Sequence, residues 1–124
     1  MIDLVPWPAR FLVHPRKVTD YLLDPSSEDG KSKCAYVESY GFRRADASTL
    51  IAALVQHGRI QLFAGIKVSP WGLKFLFDGP MAAPSGRDAN LLTVWQVRAG
   101  SDATAQFLTS RPSPRRVIGT KPVQ

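Results

Sequence analysis

The stretch IQLFAGIKVSPWGLKFLF, residues 60–77, decides the fold class. In its first part, apolar or small residues at every second position alternate with the others, and the alternating set is Ile60, Leu62, Ala64, Ile66 and Val68. This is the period of a strand buried on one face. Ser69-Pro70-Trp71-Gly72 follows with proline at the second position of a turn, and Leu73–Phe77 alternates again. The stretch therefore predicts an antiparallel β-hairpin.

Two more strands are predicted further along the chain. They cover Leu91–Arg98 and Gln106–Ser110, and turn-forming residues separate them. The register of the first is open, because Thr93 and Trp95 could face either the core or the uncovered side of the sheet. With the hairpin, these segments predict a four-stranded antiparallel meander.

The first half of the chain has helical periodicity and helix-capping residues. The predicted helices run over Pro15–Leu23, from Gly30 or Ser32 to Gly41, and from Asp46 to Gly58. Helices followed by strands indicate the α+β class, with two to three N-terminal helices packed on one face of a four-stranded antiparallel sheet. We expect one such domain over residues 1–112 and a basic, flexible C-terminal tail over residues 113–124.

The net charge of +6 points to a polyanionic partner, of which nucleic acid is the commonest. Acidic residues are absent after Asp102, whereas four cations follow: Arg111, Arg115, Arg116 and Lys121. No apolar run approaches the length of a membrane span, and the N-terminus does not resemble a secretory signal. With a single cysteine, Cys34, and no metal or cofactor motif, we expect a leaderless cytoplasmic chain without a metal, cofactor or membrane partner.

Gly30-Lys31-Ser32-Lys33 opens the second predicted helix and could bind a phosphate. Free backbone N–H groups and the positive end of the helix dipole would assist the two lysines there. The motif is not a nucleotide P-loop, because the residue five positions before Gly30 is Pro25 rather than glycine. A capped helix with solvated lysines explains the same residues equally well.

Five other side chains are candidates for phosphate chemistry, each with a plainer alternative. His57 lies in the last turn of the third helix, where it could act as an acid or base or could cap helical carbonyls. Lys74 is the cation in an apolar strand and could face phosphate from the open side of the sheet. Thr93, Thr109 and Arg111 could reach that same face, although both threonines are also ordinary strand residues.

Six short motifs are distributed over Phe11 to Pro112. They are Lys17-x-x-x-Tyr21-Leu22-Leu23, Gly30-Lys31-Ser32-Lys33-Cys34-x-Tyr36, Gly41-Phe42, Pro84-x-Gly86-Arg87, Leu92-Thr93-Val94-Trp95 and Phe107-x-Thr109. Together they resemble a small bacterial domain family whose pattern reads roughly K-L-x-x-Y-L-L, G-R-S-K-A-x-F-F, G-F, P-D-G-R, T-V-W and F-V-T. Members of that family occur alone and as C-terminal domains of polymorphic toxins.

This resemblance implies a barnase/RelE-like ribonuclease fold and a metal-independent, RNA-cleaving toxin with an acidic immunity or antitoxin partner. The implied site residues are His57 as acid or base, Lys33, Lys74 and Arg111 as cations around the phosphorane-like state, and Thr93 and Thr109 as ligands of a phosphate oxygen. Ser27-Glu28-Asp29 departs from the pattern, because the family often has a histidine there. The alternative is a non-catalytic basic module, such as a phage or mobile-element accessory protein, that binds nucleic acid or a protein partner.

Overall fold

The computed structural model describes residues 7–23, 26, 31–100 and 103–113, without the side chains of residues 31 and 32. The strands are β1 (Arg10–Leu12), β2 (Phe63–Ser69), β3 (Gly72–Met81), β4 (Ala89–Arg98) and β5 (Thr104–Pro112). The helices are α1 (Pro15–Lys17), continued by a π-helical turn (Val18–Leu22), then α2 (Lys31–Ser39) and α3 (Ala47–His57), with short 3₁₀ turns at Arg44–Asp46 and Ile60–Leu62. The predicted α+β class is confirmed. The predicted tail, apart from Ser113, lies outside the described residues.

The sheet has five strands in the order β1-β5-β4-β3-β2. Strands β2 to β5 form the predicted antiparallel meander, and β1 pairs with β5 in parallel, so that Arg10 lies opposite Thr104. The predicted number of four strands is therefore one too low. A three-residue strand is too short to show a period of two, which is why β1 is not visible in the sequence pattern.

Strand β2 begins later than the alternation predicts and is bulged. It starts at Phe63, and its register with β3 shifts between Phe63 and Gly65. An extra residue in one strand reverses the alternation of side chains across it. Phe63 therefore faces the side of the buried Phe77, 5.9 Å away between ring centroids, although Phe63 itself is still 38% exposed. Beyond the bulge the predicted face is kept, because Ile66 pairs with the buried Phe75 and packs against the core. Val68 pairs with Leu73 on that face next to the hairpin turn, where it is 86% exposed.

The helices cover one face of the sheet, and the core lies between the two layers. Its largest buried side chains include Val18, Leu22, Leu50, Leu54, Phe75, Phe77 and Trp95. Burying each large apolar side chain stabilises the fold by about 1.5–3 kcal/mol. Thr93 and Trp95 both face this core, which decides between the two registers that the sequence left open for β4.

The backbone departs from regular geometry in two segments, a π-helical turn after α1 and a bulge in β5. After Lys17 the first helix widens into the π-helical turn, and the N–H of Leu23 donates to the carbonyl of Val18 at 2.7 Å. In β5, Phe107 pairs with Trp95 and Thr109 pairs with Val94, so that Leu108 is an extra residue. Single π-helical turns and β-bulges both occur often at functional sites.

The loop after β3 packs on the end of α2 through backbone contacts. Gly41 has a φ of +100°, and a Cβ built on it would lie 3.0 Å from the backbone nitrogen of Ser85. That nitrogen donates to the carbonyl of Tyr40 at 3.0 Å, and the Arg87 guanidinium lies 4.8 Å from the centroid of the Tyr40 ring. The motifs Gly41-Phe42 and Pro84-x-Gly86-Arg87 thus lie in two segments that pack against each other.

Candidate active site

Lys33, Tyr21 and Thr109 form a compact hydrogen-bonded group. The Lys33 ammonium donates to the Tyr21 hydroxyl at 2.6 Å and to the Thr109 hydroxyl at 2.7 Å. The two hydroxyl oxygens are 3.4 Å apart. Each residue comes from a different element, namely α2, the π-helical turn and the part of β5 beyond Leu108. The two irregular elements therefore meet the helix at one point.

Lys17 adds a second ammonium group beside the same tyrosine. Its Nζ donates to the backbone carbonyl of Leu108 at 3.0 Å and lies 5.3 Å from the centroid of the Tyr21 ring. Lys33 Nζ lies 5.0 Å from that centroid. The electron-rich ring attracts both cations, and the extra residue of β5 supplies the carbonyl that holds Lys17.

Neither ammonium group has a carboxylate partner in the described ranges. The ion pairs found there join Asp20 to Arg16 and to Arg44. Two like charges around one aromatic ring raise the electrostatic potential at the point between them, and an anion that binds there lowers it. We name Lys17, Tyr21, Lys33 and Thr109 the dilysine site.

The structure separates His57 and Thr93 from the dilysine site. His57 has no exposed surface, its Nε2 lies 3.1 Å from the Gly79 carbonyl, and its Nδ1 lies 2.8 Å from the Thr93 hydroxyl. A carbonyl only accepts, so Nε2 carries the proton and the Thr93 hydroxyl donates to Nδ1. The same hydroxyl accepts from Trp95 Nε1 at 2.9 Å.

This network gives His57 a structural role instead of the predicted catalytic one. Burial lowers the pKa of the His57 imidazole, which favours the neutral ring in its saturated environment. A substrate cannot reach either ring nitrogen while the network is intact. The Thr93 hydroxyl is buried and bonded within the same network, so it does not face a phosphate either.

Lys74 also lies away from the dilysine site, and no contact joins Arg111 to that site in the part of the chain that the structure describes. Lys74 pairs with Gln96 on the face opposite the buried Phe75, and β4 separates its strand from β5. Adjacent strands are about 4.8 Å apart, so Lys74 and Thr109 stand on strands about 10 Å apart. Arg111 is exposed two residues after Thr109 on β5. Of the predicted catalytic set, the structure therefore brings Lys33 and Thr109 together in the dilysine site. It brings His57 and Thr93 together in the separate buried network.

The predicted phosphate-binding residues Gly30, Lys31 and Ser32 remain a prediction. Gly30 lies outside the described residues, and α2 begins at Lys31. In the parts of the chain that are described, no group of three histidine, cysteine, aspartate or glutamate side chains is placed to hold a metal ion. No helix there is both long enough and apolar enough to cross a membrane.

Two residues of the dilysine site, Lys17 and Tyr21, were absent from the predicted catalytic set. Their K-x-x-x-Y spacing was the available signal, because residues four apart are neighbours on a helix surface. The sequence did not show that the turn is π-helical or that β5 presents a carbonyl beside it. Those two features determine what the pair contacts.

Comparisons with known proteins place the fold and the family. One chain of a contact-dependent growth inhibition toxin and immunity protein complex from Klebsiella pneumoniae 342 has a similar fold, with a TM-score of 0.62 and 14% identity. The similarity covers 82% of this chain and 92% of that one. No curated protein sequence gives a significant match. Residues 5–113 match the family described as "Domain of unknown function (DUF6883)", and the chain therefore belongs to the DUF6883 family.

Proposed function

We propose that the chain is a bacterial toxin domain that cleaves RNA without a metal ion, through attack of a 2′-hydroxyl on the adjacent phosphorus. The observation that carries this proposal is the convergence of two ammonium groups, without carboxylate partners in the described ranges, on the hydroxyls of Tyr21 and Thr109. The toxin and immunity protein complex that contains a similar fold supports the toxin assignment.

The dilysine site offers what a phosphodiester needs in the transition state. Negative charge grows on the non-bridging phosphate oxygens during attack, and preorganised donors stabilise it strongly. Lys33 and the Thr109 hydroxyl stand 2.7 Å apart and can donate together to one such oxygen. Lys17 supplies a second positive charge, 5.3 Å from the centroid of the Tyr21 ring. Two ammonium groups thus give the charge that a metal ion would otherwise supply.

Tyr21 is our candidate for proton transfer in place of His57. A phenol is far more acidic than the aliphatic hydroxyl of threonine, and tyrosine serves as a general acid or base in enzymes. Its hydroxyl is 2.6 Å from Lys33 Nζ and 3.4 Å from Thr109 Oγ1. A phosphate held by Lys33 and Thr109 would therefore lie within reach of the Tyr21 hydroxyl.

The cleavage reaction has a direct test. Purified chain incubated with bulk RNA in EDTA should give fragments ending in 2′,3′-cyclic phosphate, detected by mass spectrometry. Lys33→Ala and Tyr21→Phe should each lower the rate by about 10²-fold or more, the usual effect of removing one transition-state donor. Lys67→Ala is the matched control, because it removes the same charge from an exposed position on β2.

The alternative, a non-catalytic basic module, predicts a different result. Wild-type chain would then bind RNA with strong salt dependence and leave it intact even at high protein concentration. That outcome would overturn the ribonuclease proposal. As a toxin, the wild-type chain should also arrest bacterial growth when it is produced in the cytoplasm, whereas Lys33→Ala should be tolerated. An acidic immunity protein that covers the dilysine site should restore growth.

A further inference from the structure

A cavity of about 380 Å³ opens next to the dilysine site. Residues from the end of β1 through α1 line part of it, and residues of β5 line the rest; they include Leu12, Val13, His14, Lys17, Phe107 and Leu108. Lys17 belongs both to this cavity and to the dilysine site. Leu108 accepts the hydrogen bond from Lys17 and directly precedes Thr109. The cavity and the proposed cleavage site are therefore continuous.

The walls of the cavity suit a flat and mostly apolar ligand. Val13 and Phe107 are buried, and Leu12 is 50% exposed at the entrance. A cavity of about 300–1,000 Å³ with apolar walls and a few polar groups is typical of small-molecule sites. The volume here lies near the lower end of that range, which fits a ring system rather than a longer chain.

Polar groups at the edge of the cavity can read the edge of a heterocycle. The Nδ1 of His14 accepts from the backbone N–H of Arg16 at 3.2 Å, so the proton of the neutral ring is on Nε2, which can donate. Gln106, which also lines the cavity, is exposed and offers both an amide donor and an acceptor. A nucleobase has the complementary combination of flat apolar faces and polar edges.

We infer that this cavity is a nucleobase subsite, which holds the base of a nucleotide next to the phosphate in the dilysine site. The inference rests on the proposed function, because it assumes that the phosphate bound by Lys33 belongs to RNA. It adds that the chain recognises a base as well as the backbone. Cleavage should then depend on the base at one position beside the scissile bond.

Ligand binding tests the subsite separately from cleavage. The intact chain is titrated with inorganic phosphate, ribose 5-phosphate and the four nucleoside 3′-monophosphates, and binding is followed by NMR. At least one mononucleotide should bind about tenfold tighter than phosphate or ribose 5-phosphate, since stacking a base on a protein surface commonly contributes this much. Lys33→Ala should weaken binding of all the ligands.

Variants that fill or alter the cavity identify where the base binds. Leu12→Trp places a large side chain at the entrance and should remove the advantage of the mononucleotide while leaving phosphate binding unchanged. Val68→Trp is the matched control, because Val68 is an exposed strand residue outside the cavity. Gln106→Leu keeps the apolar walls and should change which base binds best, which provides a second variant if Leu12→Trp does not fold.

The possible outcomes separate this inference from the proposed function. Cleavage without any base preference, with mononucleotides binding no tighter than phosphate, would overturn the subsite and leave the ribonuclease intact. Base-dependent binding that Leu12→Trp removes, in a chain that never cleaves RNA, would support the subsite and overturn the ribonuclease. If folded Leu12→Trp retains the full mononucleotide advantage, the base binds elsewhere and the inference is wrong.

Discussion

Replacing Thr93 by valine removes one hydroxyl that serves two buried partners. In the folded chain this hydroxyl accepts from Trp95 Nε1 at 2.9 Å and lies 2.8 Å from His57 Nδ1, to which it donates. Thr93, Trp95 and His57 are each 0% exposed, so water cannot replace the lost bonds without opening the core. Valine has nearly the same volume as threonine, and the substitution leaves no cavity that would need a separate energy term.

The size of the effect follows from the number of groups left without a partner. A buried donor or acceptor that loses its hydrogen bond costs about 1–3 kcal/mol. Two such groups, the indole N–H and the imidazole nitrogen, give an expected loss of about 2–6 kcal/mol in the free energy of unfolding. Domains are commonly stable by about 5–15 kcal/mol, so the Thr93→Val substitution should remove a large and measurable part of the total.

Urea denaturation of the two proteins, monitored by tryptophan fluorescence, measures this loss. Thr109→Val is the matched substitution, because it removes the same group from the neighbouring strand, where the Thr109 hydroxyl is only partly buried. It should cost about 1 kcal/mol or less and abolish RNA cleavage, whereas Thr93→Val should leave cleavage by the folded fraction within a few-fold of wild type. The reasoning would be refuted if Thr93→Val lost less than about 1 kcal/mol of stability and also lost cleavage. His57 and Thr93 would then be catalytic rather than structural.

Three further predictions test other parts of the structure. Burial lowers the pKa of His57, while an unfolded histidine titrates near 6.5, so the unfolded state binds more protons below that pH. The free energy of unfolding should therefore fall from about pH 6.5 downward until the folded pKa is passed, and His57→Gln should flatten this slope in urea melts. Gly41→Ala should destabilise the chain by more than about 1 kcal/mol, because φ is +100° and the new Cβ meets the Ser85 nitrogen at 3.0 Å; an unchanged melting temperature would contradict this geometry. Arg87→Ala should cost about 0.5–1 kcal/mol through loss of the contact with the Tyr40 ring, and Arg87→Lys should recover part of it in the same assay.

The parts of the fold that depend on long, regular patterns could be predicted from the sequence. The hairpin of β2 and β3 follows from alternation and a Ser-Pro-Trp-Gly turn, and α3 follows from its apolar stripe between Asp46 and Gly58. Strand β1 could not be predicted, because its partner is almost a whole chain length away and three residues carry no period. The inward position of Phe63 does not follow from the alternation, because the bulge between Phe63 and Gly65 offsets the period there.

The dilysine site could be predicted only in part, because the sequence shows the chemical type of a side chain but not its surroundings in the fold. The chemical type of Lys33 and Thr109 predicts a role at the site, and the structure brings the two side chains into contact. The chemical type of His57 predicts the same role, yet its hydrogen bonds to Thr93 and Gly79 make it part of the core. Chemical type alone does not distinguish a histidine with all its hydrogen bonds satisfied inside the core from one that faces a substrate.

The irregular elements of this fold are what make the dilysine site possible. A regular β5 would pair residue by residue with β4 and would not have Leu108 as an extra residue with its carbonyl directed to a lysine. The side chains of Lys17 and Lys33 must also approach one ring although their charges repel each other. The energy for holding them there comes from the surrounding core, in which Val18, Leu22 and Val37 are buried on the same elements. A binding anion releases part of that repulsion, and this gain is the physical reason to expect phosphate at this position rather than elsewhere on a generally basic chain.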